Sequence, residues 1–247
     1  MKTLAVIPSR FASSRFPGKP LALINCKPMV QHVYERCLGH FNYVVVATDD
    51  ERIYNTVKDF GGKVLMTDAK HNSGTDRCAE AARLLEENMQ FDIVVNVQGD
   101  EPFVQPEQFT RLLACFENPE TQIATLISPI KTTNVLFDIN KVKAVVGVNG
   151  RALYFSRQAI PFIRDCDPND WLLQHRFFMH LGIYAYKANV LKQITKLQPG
   201  VLEQCEKLEQ LRWIENGFNI QTAVSEHVNL GVDTPSDLEN LMKNING

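Results

Sequence analysis

The sequence is expected to fold as an α/β domain built on a mixed, mostly parallel sheet. Two observations predict this. Apolar runs at residues 4–7, 43–47 and 63–66 alternate with two amphipathic stretches, which gives the order β-α-β-α-β of a doubly wound sheet. Farther along, Asn149-Gly150 separates two extended runs, 142–148 and 152–156, and is a strong hairpin signal. The middle third, roughly 129–199, therefore reads as an antiparallel lobe inserted in one domain spanning 1–247.

Taken in order, Leu4-Ala5-Val6-Ile7 is a continuous apolar run, as expected of a strand covered on both faces. Pro17 and Pro20 argue against a helix in the loop that follows. Helical spacing appears over 29–38, where Met29, Val30, Val33, Tyr34, Cys37 and Leu38 share a side. A strand at 43–47 ends at Thr48-Asp49-Asp50, and a helix over 51–60 is stopped by Gly61-Gly62. After the strand at 63–66, Ser73 or Thr75 can cap a helix running to Asn88. The apolar run 93–98 reads as a central strand, and Pro106 opens a helix to about Glu117. Strands are expected at 124–130, 177–186 and 219–224. One helix is expected over 201–214, and a closing helix from Thr234-Pro235 to about Asn244.

Composition narrows the function classes. A formal net charge of -2 argues against a general nucleic-acid surface. No apolar run approaches the ~20 residues of a membrane helix, and a strand starts almost at the first residue, leaving no room for a signal peptide. The six cysteines (Cys26, Cys37, Cys78, Cys115, Cys166 and Cys205) form no C-x-x-C pair, so a zinc site is not expected. Reduced thiols and a cytoplasmic location are the expectation.

The chemistry concentrates at strand ends. Arg10, Arg15 and Lys19 fall in one irregular loop, and no acidic residue precedes Glu35. Gly18 permits close backbone approach, and Ser9, Ser13 and Ser14 add small hydroxyls. A cationic loop at the C-terminal edge of a first strand suits a polyphosphate. Asp100 follows Gly99 just past a central strand and could ligate a hard cation such as Mg²⁺; a plain Gly-Asp turn is the competing reading. Asp233, before Thr234-Pro235, is a second candidate, with a simple helix N-cap as its competing reading. Neither G-x-x-x-x-G-K-[ST] nor G-x-G-x-x-G occurs, which disfavours a P-loop and a dinucleotide cofactor. A second polar set, Arg157, His180, Glu209 and Gln210, suits a sugar acid: arginine for its carboxylate, Glu and Gln for vicinal hydroxyls. His180, between Met179 and Leu181, also reads as a satisfied core histidine.

Seven blocks in register carry a resemblance. They are Pro8-Ser9-Arg10 through Arg15-Phe16-Pro17-Gly18-Lys19-Pro20-Leu21, His71-Asn72-Ser73-Gly74-Thr75-Asp76-Arg77, Asn96-Val97-Gln98-Gly99-Asp100-Glu101-Pro102, Leu153-Tyr154-Phe155-Ser156-Arg157, His180-Leu181-Gly182-Ile183-Tyr184, Leu208-Glu209-Gln210-Leu211-Arg212 and Gly231-Val232-Asp233-Thr234-Pro235. Together they resemble the 3-deoxy-manno-octulosonate cytidylyltransferases, or CMP-Kdo synthetases. The resemblance implies a three-layer nucleotide-diphospho-sugar transferase-like fold with a small antiparallel dimerisation lobe, and a homodimer. It implies Mg²⁺-dependent transfer of CMP from CTP to Kdo, releasing pyrophosphate, for lipopolysaccharide or capsule synthesis. Carried over residue by residue, Pro8, Ser9, Arg10, Arg15, Lys19, Ser73 and Arg77 would bind the nucleotide. Asp100 and Asp233 would hold Mg²⁺. Gln98, Arg157, His180, Tyr184, Glu209 and Gln210 would line the sugar pocket. Lys19, Arg10 and Asp100 would carry catalysis. Three positions depart from the family pattern: Ser9 stands for a common alanine, Asp76 for a glutamate, and Met179 for a basic residue. The alternatives are a cytidylyltransferase for another acid sugar such as sialic acid, a glycosyltransferase, and a nucleotide-sensing module.

Overall fold

The computed structural model describes residues 1–12, 15–87, 89–228 and 231–246, of which 244–246 are described by backbone alone. Ser13 and Ser14, and the expected helix end at Asn88, lie outside the described residues. The strands are β1 (Thr3–Ser9), β2 (Leu23–Ile24), β3 (Lys27–Pro28), β4 (Tyr43–Thr48), β5 (Val64–Met66), β6 (Ile93–Asn96), β7 (Ile123–Pro129), β8 (Lys143–Val146), β9 (Ala152–Ser156), β10 (Phe178–Lys187) and β11 (Ile220–Val224). The α-helices are α1 (Met29–Cys37), α2 (Glu51–Asp59), α3 (Gly74–Glu86), α4 (Pro106–Ala114), α5 (Thr133–Phe137), α6 (Trp171–Gln174), α7 (Ala188–Ile194), α8 (Val201–Glu206), α9 (Glu209–Glu215) and α10 (Pro235–Asn246).

The chain divides into two compact units. The first comprises Met1–Phe109, Tyr186–Thr195 and Asn229–Gly247; the second comprises Thr110–Ala185 and Lys196–Val228. The antiparallel segment expected at 129–199 falls in the second unit, apart from 186–195, which packs with the first.

In the first unit β1 lies between β4 and β6, parallel to both, and β5 extends the sheet parallel to β4. Leu4 to Ile7, Val44 to Ala47 and Ile93 to Val95 are all buried, which is why these strands read as unbroken apolar runs rather than as alternation. The parallel order aligns the C-terminal ends of β1, β4 and β6 along one edge. There, Asp50 caps α2 by accepting from the Arg52 N–H (2.9 Å), and Ser73 caps α3 by accepting from the Asp76 N–H (3.1 Å).

In the second unit β7 and β11 pair in parallel, while β8 pairs antiparallel with β9 and with β10. The hairpin at Asn149-Gly150 forms as expected. Gly150 has φ +76°, in the left-handed region that favours glycine, where the turn lies beside Gln221 of β11.

The helix expected over 201–214 is two helices. Lys207 sits in the left-handed region at φ 54°, a conformation that ends a helix and that apolar spacing does not register. The strand expected to reach Gln98 stops at Asn96. The loop after β1 contains a short 3₁₀ turn, Lys19–Leu21, entered through Gly18 at φ 72°. Helices α5, α6 and α7 and the small β2–β3 hairpin carry too few residues to show a period.

Candidate active site

One cavity of about 250 Å³ opens in the first unit at the C-terminal edge of β1 and β6. Pro8, Ser9, Arg10, Arg15, Lys19, Ser73, Arg77, Gln98, Asp100 and Asp233 all line it. These ten are the nucleotide and metal candidates together with one sugar candidate, gathered from four separate sequence blocks. Pro20, His71, Asn72, Gly74 and Gly99 complete the wall. Gly99 is there for a steric reason. A Cβ would lie 3.0 Å from the Pro8 carbonyl oxygen and 3.1 Å from the Ser9 Oγ, so a side chain here would have to push back the end of β1 by a few tenths of an ångström.

Lys19 and Arg15 are not unpaired, as the sequence read locally suggests. Lys19 Nζ donates to Asp100 Oδ2 at 2.6 Å and contacts Asp233 Oδ1 at 3.4 Å. Arg15 Nη2 lies 3.2 Å from the same Asp233 oxygen. Their partners are 81 and 214 residues away from Lys19, a distance no local reading spans. One ammonium thus brings the two carboxylates to a common point.

Backbone placement explains why both acids are available. Asp100 lies in the turn closed by the Glu101 N–H donating to the Gln98 carbonyl, so the turn reading and the ligand reading hold together. The Val232 N–H donates to the Asp100 carbonyl at 2.9 Å, tying the two acidic segments together. Asp233 does not serve as the N-cap of α10. Thr234 does: its Oγ1 accepts from the Asp237 N–H (3.2 Å), and Asp237 Oδ2 accepts from the Thr234 N–H (2.8 Å). This reciprocal capping box, with Pro235 at the first helical position, leaves the Asp233 carboxylate to the cavity.

Arg77 is buried on the first turn of α3 and held by two groups. Nη1 donates to Thr67 Oγ1 at 2.5 Å, and Nη2 pairs with Asp49 Oδ2 at 2.9 Å. Asp49, at the end of β4, was visible in the sequence as an acid at a strand terminus but not assigned. His71 Nε2 meets Glu80 Oε2 at 2.6 Å. Burial tends to raise the Glu80 pKa, but the Asp68 N–H, His71 and Arg83 outweigh it and hold it low.

Arg157, His180, Tyr184, Glu209 and Gln210 belong to the second unit. His180 Nε2 lies 3.1 Å from Thr125 Oγ1, whose own proton has the Ile183 carbonyl at 2.8 Å. A hydroxyl has one proton, and a carbonyl only accepts, so Thr125 donates to Ile183 and the imidazole Nε2–H donates to Thr125. The neutral ring then keeps an acceptor at Nδ1. Phe155 and Tyr184 stand 5.1 and 5.2 Å from the ring, and desolvation pulls the His180 pKa down to about 3. Tyr184 packs edge-on to Trp213; burial, then the Glu209 carboxylate, push its phenol well above the ordinary value. Gln210 is buried at 5% exposure, and its Nε2 has no hydrogen-bond partner among the described residues. Thr125 was not singled out by sequence reasoning, because a threonine inside an apolar strand carries no signal of its own.

A family model described as cytidylyltransferase matches residues 4–222. The 3-deoxy-manno-octulosonate cytidylyltransferase of Bacteroides thetaiotaomicron is 51% identical over 250 residues, covering 99% of each chain. That of Phocaeicola vulgatus is 52% identical, covering 96% of this chain and 95% of the relative. Among solved structures, a CMP:2-keto-3-deoxy-manno-octonic acid synthetase complexed with CTP aligns with TM-score 0.91 and 41% identity, covering 100% of this chain and 99% of that one. A cytidylyltransferase from Leptospira borgpetersenii shares the fold at TM-score 0.65 and 18% identity, covering 100% and 87%.

Proposed function

This chain belongs to the 3-deoxy-manno-octulosonate cytidylyltransferase family, and from that premise we propose that it transfers CMP from CTP to the sugar acid Kdo, releasing pyrophosphate. The observation that carries the reading is the contact of Lys19 with both Asp100 and Asp233 inside a cavity lined by Arg10, Arg15 and Arg77. Such a cavity offers cations for a triphosphate and carboxylates for its counter-ion.

In the reaction, the anomeric hydroxyl oxygen of Kdo attacks the α-phosphorus in line. The bond from that phosphorus to the bridging oxygen breaks, pyrophosphate carries the electron pair away, and the hydroxyl proton passes to solvent. Protein groups contribute positioning and charge neutralisation. Arg10, Arg15 and Lys19 hold the triphosphate and offset the charge gathering on the leaving pyrophosphate. The N-terminus of α3 at Ser73, with Arg77 fixed by Asp49 and Thr67, receives the cytidine beside the Pro8–Ser9 backbone. Gln98, Arg157, His180, Tyr184, Glu209 and Gln210 recognise the sugar, with Arg157 on its carboxylate. The unpartnered Gln210 amide supports this part, since a buried donor gains most from a ligand acceptor.

Asp100 and Asp233 fit a Mg²⁺ site. Both are carboxylates, the donor type that a hard cation takes, and both already converge on one cationic nitrogen. When bound, Mg²⁺ supplies phosphoryl polarisation and lowers the pKa of an oxygen nucleophile. We place the protein in the cytoplasm, as a homodimer formed through the antiparallel lobe, supplying lipopolysaccharide or capsule synthesis. The test is pyrophosphate release with CTP, Mg²⁺ and a panel of acid sugars. Turnover with Kdo supports the reading; a preference for sialic acid, or release of a nucleoside diphosphate, overturns it.

A further inference from the structure

In the second unit Arg157 is held through both its main chain and its side chain, and the residues that hold it have no direct part in the chemistry above. Lys143, on β8, is fully buried, which for an ammonium is costly unless its protons are all taken. They are: Nζ donates to the carbonyls of Asp138 (2.9 Å), Lys141 (2.7 Å) and Arg157. Three donors meet three acceptors, so a single cation ties the 138–141 turn to the end of β9.

Glu206 holds the other side. Its carboxylate accepts from Ser156 Oγ at 2.7 Å and from the Arg157 N–H at 3.0 Å. Its main-chain carbonyl accepts from Arg157 Nε at 2.7 Å. That carbonyl is the last of α8, without an intrahelical partner because Lys207 turns the chain into the left-handed region. The break in the helix expected over 201–214 therefore presents the oxygen that Arg157 uses. Arg157 Nη1 donates to the Ile139 carbonyl at 3.2 Å, inside the very turn that Lys143 clamps.

Arg157 is thus fixed at its carbonyl, its N–H, its Nε and one Nη1 proton. Five guanidinium protons less the two engaged leave three: one on Nη1 and both on Nη2. These lie on the fork edge that pairs bidentately with a carboxylate. We infer that Lys143 and Glu206 are positioning residues that set the free edge of the Arg157 guanidinium for the carboxylate of the sugar acid. The inference rests on the proposal that Arg157 binds that carboxylate, and it deepens it: acid-sugar recognition comes from a preorganised fork, not from a mobile surface arginine.

The test measures KM for Kdo, KM for CTP and kcat by pyrophosphate release. The variants are Arg157→Ala, Lys143→Met, Glu206→Ala, Glu206→Gln, and Lys143→Met and Glu206→Ala each combined with Arg157→Ala. The expected result is a rise of roughly tenfold or more in KM for Kdo, with KM for CTP unchanged, in Arg157→Ala, Lys143→Met and Glu206→Ala. Glu206→Gln, which keeps an acceptor and the helix-end carbonyl, recovers part of the loss. In the Arg157→Ala background neither second substitution adds a further rise. A KM for Kdo within twofold of the parent in Glu206→Ala and in any folded Lys143→Met overturns the inference, as does an equal rise with and without Arg157. Should Lys143→Met fail to fold, the Glu206 pair decides alone. An unchanged KM for Kdo in Arg157→Ala instead rejects the carboxylate assignment itself, so the two failures are separable.

Discussion

Lys19 and Asp100 form a direct ion pair, Nζ to Oδ2 2.6 Å, across 81 residues of sequence. The pair joins the loop after β1 to the turn after β6, and Asp233 joins it from the start of α10. Its side chains are 14% and 30% exposed, so the contact is sheltered but remains open to the cavity. An ammonium and a divalent cation satisfy the same carboxylates.

Asp100→Asn keeps the shape and removes the charge. Pyrophosphate release from CTP and Kdo is expected to fall at least about a hundredfold, the scale of losing one preorganised electrostatic group. The melting temperature should stay within a few degrees. Stripping divalent ions from the parent should stop the reaction, and adding Mg²⁺ should restore it. Near-normal turnover by the variant would reject the metal assignment.

Asp49→Ala is expected to destabilise the fold by about 3–5 kcal/mol, because Arg77 is 4% exposed and would be left a buried cation without its anion. Urea denaturation measures this directly. A loss under about 1 kcal/mol would mean that Thr67 and solvent suffice.

Thr234→Ala removes the helix cap beside Asp233 and should cost about 1 kcal/mol in the same assay. Because Asp233 then loses its fixed backbone, the Mg²⁺ concentration giving half-maximal rate should rise while KM for Kdo holds steady. A change in KM for Kdo alone would contradict the placement of Asp233.

His180 is held at a pKa of about 3, below the ordinary 6.5. The unfolded chain therefore binds the proton first. Stability from keeping this ring neutral is complete above pH 6.5 and is lost as pH falls from 6.5 toward 3, by at most about 1.4 kcal/mol per pH unit. Denaturation followed from pH 7 to 4.5 in the parent and in His180→Gln tests this: the substitution should flatten the slope. In turnover, His180 should contribute no ionisation between pH 6 and 8.

Much of the fold was legible because its signals are local. The buried parallel strands are unbroken apolar runs, Ser73 is an N-cap residue followed by an amphipathic helix, and Asn149-Gly150 marks a hairpin. The α8–α9 break was not legible, since a lysine does not mark a left-handed turn as glycine does and the apolar spacing runs on through Lys207. Nor was the release of Asp233 from capping, which depends on Thr234 and Asp237 pairing with each other.

The sequence by itself determined which groups exist at which strand ends: the cations at 10, 15 and 19, the acids at 100 and 233, and the polar set from Arg157 to Gln210. The succession of strands and helices along the chain follows from local apolar patterning, and one chain is enough to read it. Tertiary structure alone decided the pairings: Lys19 with both acids, Arg77 with Asp49, His180 with Thr125, and Arg157 between Lys143 and Glu206. Electrostatic energy and desolvation depend on distance in space, and parallel sheet topology brings remote strand ends together without leaving any mark on the residues between them.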